Sequence, residues 1–167
     1  LSFTDINTSN IIAVNGASPS ITNSEFTLGV DEQSYKAASI QAYGAGLGIL
    51  STMQVADSTF TGDTEAQCGN QGGGFSVVYT EDSYIRLDRL DISDNAYGVF
   101  MRGTSGWLTN STVDTLCNAI DTNSFKQTGD IQHMLYIDDN EITTGEGAGI
   151  TAYDGARVSA TGNTISG

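Results

Sequence analysis

The chain has 167 residues, with 20 Asp and Glu against 6 Lys and Arg, for a formal charge of −14. So acidic a surface repels phosphate backbones and anionic headgroups, which argues against nucleic acid and membrane surfaces as partners. It also disfavours polyanionic substrates unless a bound cation inverts the local charge.

The 20 glycines, the single proline and abundant Ser, Thr and Asn leave few helix formers. No stretch of a dozen residues keeps a helical period, and no run of eighteen apolar residues exists to span a membrane. The class is all-β, in one domain over residues 1–167.

Taken in chain order, one small motif recurs: a short polar residue, any residue, an apolar anchor, then a short polar residue. It is degenerate at Thr4-Asp5-Ile6-Asn7 and clear at Ser24-Glu25-Phe26-Thr27 and Ser58-Thr59-Phe60-Thr61. It is degenerate again at Leu90-Asp91-Ile92-Ser93. Clear copies follow at Ser111-Thr112-Val113-Asp114, Asn140-Glu141-Ile142-Thr143 and Asn163-Thr164-Ile165-Ser166.

Five residues before each anchor sits another apolar side chain: Leu1, Ile21, Val55, Leu87, Leu108, Ile137 and Ala160. Met53, Ile85, Leu135 and Val158 lie seven before and keep the same parity, as a strand of period two requires. After the anchors a second apolar strand is expected at Ile12/Val14, Ile40/Ala42, Phe75/Val77, Phe100, Ile120 and Ile150/Ala152.

The anchors are spaced by 20, 34, 32, 21, 29 and 23 residues. Repeats of that size build solenoids, in which each coil buries its apolar face against its neighbours. The longer gaps predict loops at Leu28–Ala37, Gly62–Gly73 and Ser124–Gln132. Stacked Ser and Asn two before each anchor would hydrogen-bond from coil to coil.

On these residues the whole chain resembles the right-handed parallel β-helix, pectin-lyase-like superfamily. The resemblance implies a β-solenoid of about six to seven irregular coils. It does not imply an activity, because this fold carries enzymes, adhesins and structural modules alike. Neither Leu1–Asn10 nor Thr161–Gly167 reads as a cap. The expectation is a stack uncapped at both ends, continued by more chain or covered by neighbouring domains or copies.

The outward positions suggest one candidate ligand face: Arg86, Asp88, Trp107, Tyr136 and Asp138 on successive coils. Aromatic rings suit the C–H face of a sugar, and carboxylates with Arg suit its hydroxyls. Asp88 and Asp138, two coils apart, have backbones roughly 9.6 Å from one another, near the carboxylate spacing of inverting glycosidases.

Enzymes of the resembled superfamily carry His, Asp or basic residues in short motifs that this chain lacks. Its lone His133 reads as a loop residue. Asp138-Asp139-Asn140 with Asp88, Asp91 and Asp94 offer oxygen ligands without any calcium motif, so they read as solvated corners. Gly44–Gly48 and Gly145–Gly149 read as tight corners rather than phosphate loops. The column Asn7, Thr27, Thr61, Ser93, Asp114, Thr143, Ser166 is a hydroxyl ladder flanked by too much charge for ice binding.

Cys68 and Cys117 form no zinc motif. They are either a disulfide, which needs the loop carrying Cys68 to fold back across two coils, or two free thiols. Asn7 and Asn110 head glycosylation triplets.

The first functional expectation is a non-catalytic extracellular or cell-surface module acting as spacer, adhesin segment or assembly subunit, without cofactor. Its partners would be neighbouring domains or copies at the open ends. The second is a carbohydrate-binding or carbohydrate-active domain using the face around Trp107, a glycoside hydrolase if it is an enzyme.

Overall fold

The computed structural model describes residues 2–6, 11–28, 40–44, 51–62, 68, 76–123 and 134–167. Among the described residues there is no helix, and all strand pairs are parallel. The expected loops fall almost wholly outside the described residues, as do His133 and Asn7.

Two sheets share the strands. The larger holds β1 (Ser2–Ile6), β3 (Ser20–Thr22), β4 (Glu25–Leu28), β6 (Ser51–Thr61), β8 (Ser83–Asn95), β10 (Ser105–Thr109), β11 (Thr112–Thr115), β13 (Met134–Asp138), β14 (Glu141–Thr144), β16 (Arg157–Thr161) and β17 (Thr164–Ser166). The smaller, in spatial order, runs β2 (Ile11–Val14), β5 (Ile40–Tyr43), β7 (Ser76–Glu81), β9 (Tyr97–Arg102), β12 (Ile120–Asn123) and β15 (Ile150–Tyr153). The chain alternates between the sheets, so each circuit lays its strands beside those of the circuit before.

The alternating pattern of the large sheet puts its apolar residues in registered inward columns. Ile21, Val55, Leu87, Leu108, Ile137 and Ala160 face one another across successive strands. Phe26, Phe60, Ile92, Val113, Ile142 and Ile165 form the next column. From Ile21 to Ile137 in the first column, and from Phe26 to Ile142 in the second, every member is buried. The Phe26 and Phe60 rings stack at 4.6 Å and 6°. In the column of Met53, Ile85, Leu135 and Val158 the strand between Ile85 and Leu135 supplies Gly106. A Cβ there would lie 1.8 Å from the Ile85 carbonyl oxygen, so only glycine fits.

The first circuit departs from the expected register. Phe3, not Ile6, lies opposite Phe26, and Ile6 pairs with Leu28 beyond a register shift. The expected anchor Ile6 is therefore displaced in register, with the backbone of Phe3 in the place expected for it.

Between the two columns the large sheet bends. The residue three before each anchor takes a left-handed conformation: Asn23, Asp57, Arg89, Asn110, Asp139 and Gly162, with φ from 49° to 69°. Asn, Asp and Gly tolerate this region best, and Arg89 is the exception in the column. The next residue turns inward and forms the expected ladder. Ser24 N–H donates to Ser58 Oγ at 3.3 Å, and Leu90 N–H to Ser111 Oγ at 3.0 Å. Ser111 N–H donates to Asn140 Oδ1 at 2.9 Å, and Asn140 N–H to Asn163 Oδ1 at 3.0 Å. These four corner donors thus find side-chain acceptors one circuit away. Where Leu90 replaces the polar residue the ladder is interrupted, and Leu90 is buried instead.

The small sheet corrects part of the expected parity. Its inward columns are Ile11, Ile40, Val78, Val99, Ile120, Ile150 and Ala13, Ala42, Thr80, Met101, Thr122, Ala152. Ile12 and Val14 therefore face out, at 56% and 44% exposure. Val77 lies beside the inward Val78 rather than in its place, Phe100 belongs to an outward column, and Phe75 is outside the described residues. The physical cause is that runs such as Ile11-Ile12-Ala13-Val14 are apolar at both parities, so nothing in them marks a face.

Cys68 and Cys117 are joined in a disulfide, with Cα atoms 5.6 Å apart. Cys68 therefore sits at the corner after β11, and the alternative of two free thiols is set aside. Closing a loop with a sequence separation of 49 stabilises by about 4 kcal/mol on the chain-entropy model.

Candidate functional site

The candidate face lies on the outward side of β8, β10 and β13. Strand parity turns Trp107 outward between Arg86 and Tyr136, its registered neighbours. Two residues on, Thr109 stands between Asp88 and Asp138. All five expected residues therefore share one patch, with Arg86 exposed and the other four half-buried.

The rings are packed against one another. Trp107 and Tyr136 stack at 5.4 Å and 13°, and Tyr84 meets the indole at 5.4 Å and 73°. The indole thus has an aromatic neighbour on each adjoining strand, stacked on Tyr136 and edge-on to Tyr84. Tyr84 is the member that sequence reasoning missed. It sits two residues before Arg86 at the same parity, which was the available signal.

The carboxylate of Asp88 is held from several directions. Thr109 Oγ1 donates to Asp88 Oδ1 at 2.8 Å, and Asn110 Nδ2 donates to the same oxygen at 3.0 Å. Arg89 Nη1 pairs with Asp88 Oδ2. The guanidinium also grips Asp57 of the preceding circuit, through Nε to Oδ1 at 2.6 Å and Nη2 to Oδ2 at 2.9 Å.

Partial burial pushes the Asp88 carboxyl up. The bonds from Asn110 and Thr109 and the charges of Arg89 and Arg86 outweigh it, so its pKa lies below the ordinary value. Asp57 is lowered as well, chiefly by its bond from Arg89. A general acid needs the opposite shift, so Asp88 at neutral pH is an ionised acceptor rather than a proton donor.

The acidic corners do not converge. Among the described residues no group of three or more His, Cys, Asp or Glu is arranged to hold a metal ion. Asn140 points inward, where Oδ1 accepts from Ser111 N–H while Nδ2 donates to the carbonyls of Leu108 and Asp138. Gly147 fills a tight corner, where a Cβ would come 2.3 Å from the Cys117 carbonyl carbon.

A second outward cluster lies on the small sheet. Tyr79 and Phe100 stack at 5.5 Å and 1°, with Tyr43 tilted against Tyr79 at 5.8 Å. Tyr79 Oη donates to Glu81 Oε2 at 3.2 Å, and burial with the Glu81 charge pushes its pKa up to about 12. Asp121, half-buried, is raised by desolvation, although two bonds from Asn118 Nδ2 at 3.0 and 3.2 Å oppose the shift.

The chain matches no protein-family model, no curated protein and no solved structure.

Proposed function

We propose that the chain is a right-handed parallel β-helix serving as a non-catalytic structural module outside the cell or at its surface. In this role it is a stiff spacer, adhesin segment or assembly subunit. The observation that carries the reading is the Tyr84–Trp107–Tyr136 cluster, in which the indole stacks on Tyr136 and meets Tyr84 edge-on, so that the rings pack on one another. The corner ladder of Ser and Asn fits the same role, since it ties neighbouring circuits together everywhere but between Ser58 and Leu90. The Cys68–Cys117 disulfide supports an oxidising compartment, where such bonds persist. The module's partners in this reading are neighbouring domains or other copies of the chain.

A second reading keeps the same face as a glycan-binding site. It is favoured by the exposed Arg86 beside the ring edges and by Asp138 in the adjoining column.

Calorimetric titration of the intact chain with a panel of neutral and acidic oligosaccharides separates the two. The structural reading expects no saturable heat with any of them. Saturable binding that disappears in both Trp107→Ala and Asp138→Asn would replace it with the second.

A further inference from the structure

We infer that Asn110 is an acceptor for an N-linked glycan, carried at the apex of the corner between β10 and β11. The inference rests on the export reading above, because this transfer takes place in a secretory compartment.

The acceptor triplet Asn110-Ser111-Thr112 crosses the corner, and both Asn110 and Thr112 are exposed. Asn110 has φ 50°, in the left-handed region that Asn tolerates best after glycine. The backbone on either side is fixed without help from its side chain. Asn110 N–H donates to the Asp138 carbonyl at 3.2 Å. Ser111 is buried, with N–H bonded to Asn140 Oδ1 at 2.9 Å and Oγ donating to the Thr109 carbonyl at 2.8 Å. A bulky group on the Asn110 side chain therefore meets a corner that is already held.

The amide itself has one hydrogen to give up. Nδ2 carries two, and one of them is directed to Asp88 Oδ1 at 3.0 Å. Transfer from a lipid-diphosphate-linked oligosaccharide forms the Nδ2–C1 bond and breaks the C1–O bond. The lipid diphosphate leaves, and the amide nitrogen loses one proton. The hydrogen that remains still bonds Asp88, so the glycosylated side chain keeps its place beside the acid.

The other corner residues of the column do not compete. Asn23 is followed by Ser24-Glu25, which is no acceptor triplet, and the remaining positions are Asp57, Arg89, Asp139 and Gly162.

The test expresses the whole chain behind a secretory leader in a eukaryotic host. Protein pooled from cells and medium is treated with an N-glycosidase in ¹⁸O-water, which converts each glycosylated Asn to labelled Asp. Peptide mapping should find the label at position 110, lost in Asn110→Gln and equally in Thr112→Ala, which leaves the acceptor amide intact. The Thr112→Ala chain and the glycosylated chain should melt at the same temperature. An unlabelled position 110 overturns the inference, as does a Thr112→Ala chain that melts several degrees higher. Counting alkylatable thiols on the same pool reads the export reading separately. Two free thiols would sink that reading while the label still decides the glycan.

Discussion

Two aromatic stacks in this molecule share one geometry and differ in where they lie. Phe26 and Phe60 stack inside the large sheet at 4.6 Å and 6°, while Trp107 and Tyr136 stack on its outer side at 5.4 Å and 13°. Both pairs are registered neighbours on adjacent parallel strands, so the register alone brings the rings together. Burial is the difference: both Phe rings are fully buried, and the outer pair stays half-open to water. In-register pairing therefore stacks rings in the core and on the surface alike. Energy follows the water removed.

The sharpest way to break the inner side is Leu108→Asp. Leu108 lies between Leu87 and Ile137, fully buried, and a carboxylate there would have apolar neighbours on both adjacent strands. Loss of the cooperative melting transition by circular dichroism is expected.

Phe60→Ala comes next. It removes a fully buried ring stacked on Phe26 and should cost about 3–5 kcal/mol in urea denaturation. Trp107→Ala removes the corresponding outer ring and should cost only about 1 kcal/mol by the same measurement. Equal losses in the two variants would show that the outer ladder is as structural as the core.

The smallest effect is electrostatic. Asp88 and Asp57 both have folded pKa values below their ordinary ones. Their stabilisation is therefore fully present above the unfolded carboxylate value of about 3.9 and is lost as pH falls through the folded values. Melting temperatures recorded from pH 6 to pH 2 should fall less steeply in Asp88→Asn than in the unaltered chain.

The same contrast explains what was legible in the sequence. Large-sheet strands such as Ser83–Asn95 alternate apolar and polar residues, so Ile85, Leu87 and Ile92 declare their face, and Arg86 and Asp88 declare the other. Small-sheet strands do not. Val77 and Val78 are both buried, and Ile12 is as apolar as Ile11, so their faces are set by pairing with distant strands.

The corner column was half legible. Ser24, Ser58, Ser111, Asn140 and Asn163 stand out by type, but the left-handed residue before each was hidden because Arg89 breaks the Asn, Asp and Gly pattern. The candidate patch was legible as an address, since parity fixes which side chains share it. Its chemistry was not, because ring-on-ring packing and the bonds on Asp88 depend on rotamers and on Tyr84. The pairing of Cys68 depends on the path of a segment whose Gly and polar residues carry no periodic signal.

That pairing has a mechanical consequence. A chain pulled from its two ends transmits tension through the covalent path, and the bond between Cys68 and Cys117 is a shortcut along it. The residues between them, including all of β7, β8, β9, β10 and β11, hang from the shortcut and carry no load even after the sheets separate. With the bond intact, full extension should fall short by the span of the sequence separation of 49 that it bridges, roughly 170 Å at about 3.5 Å per residue.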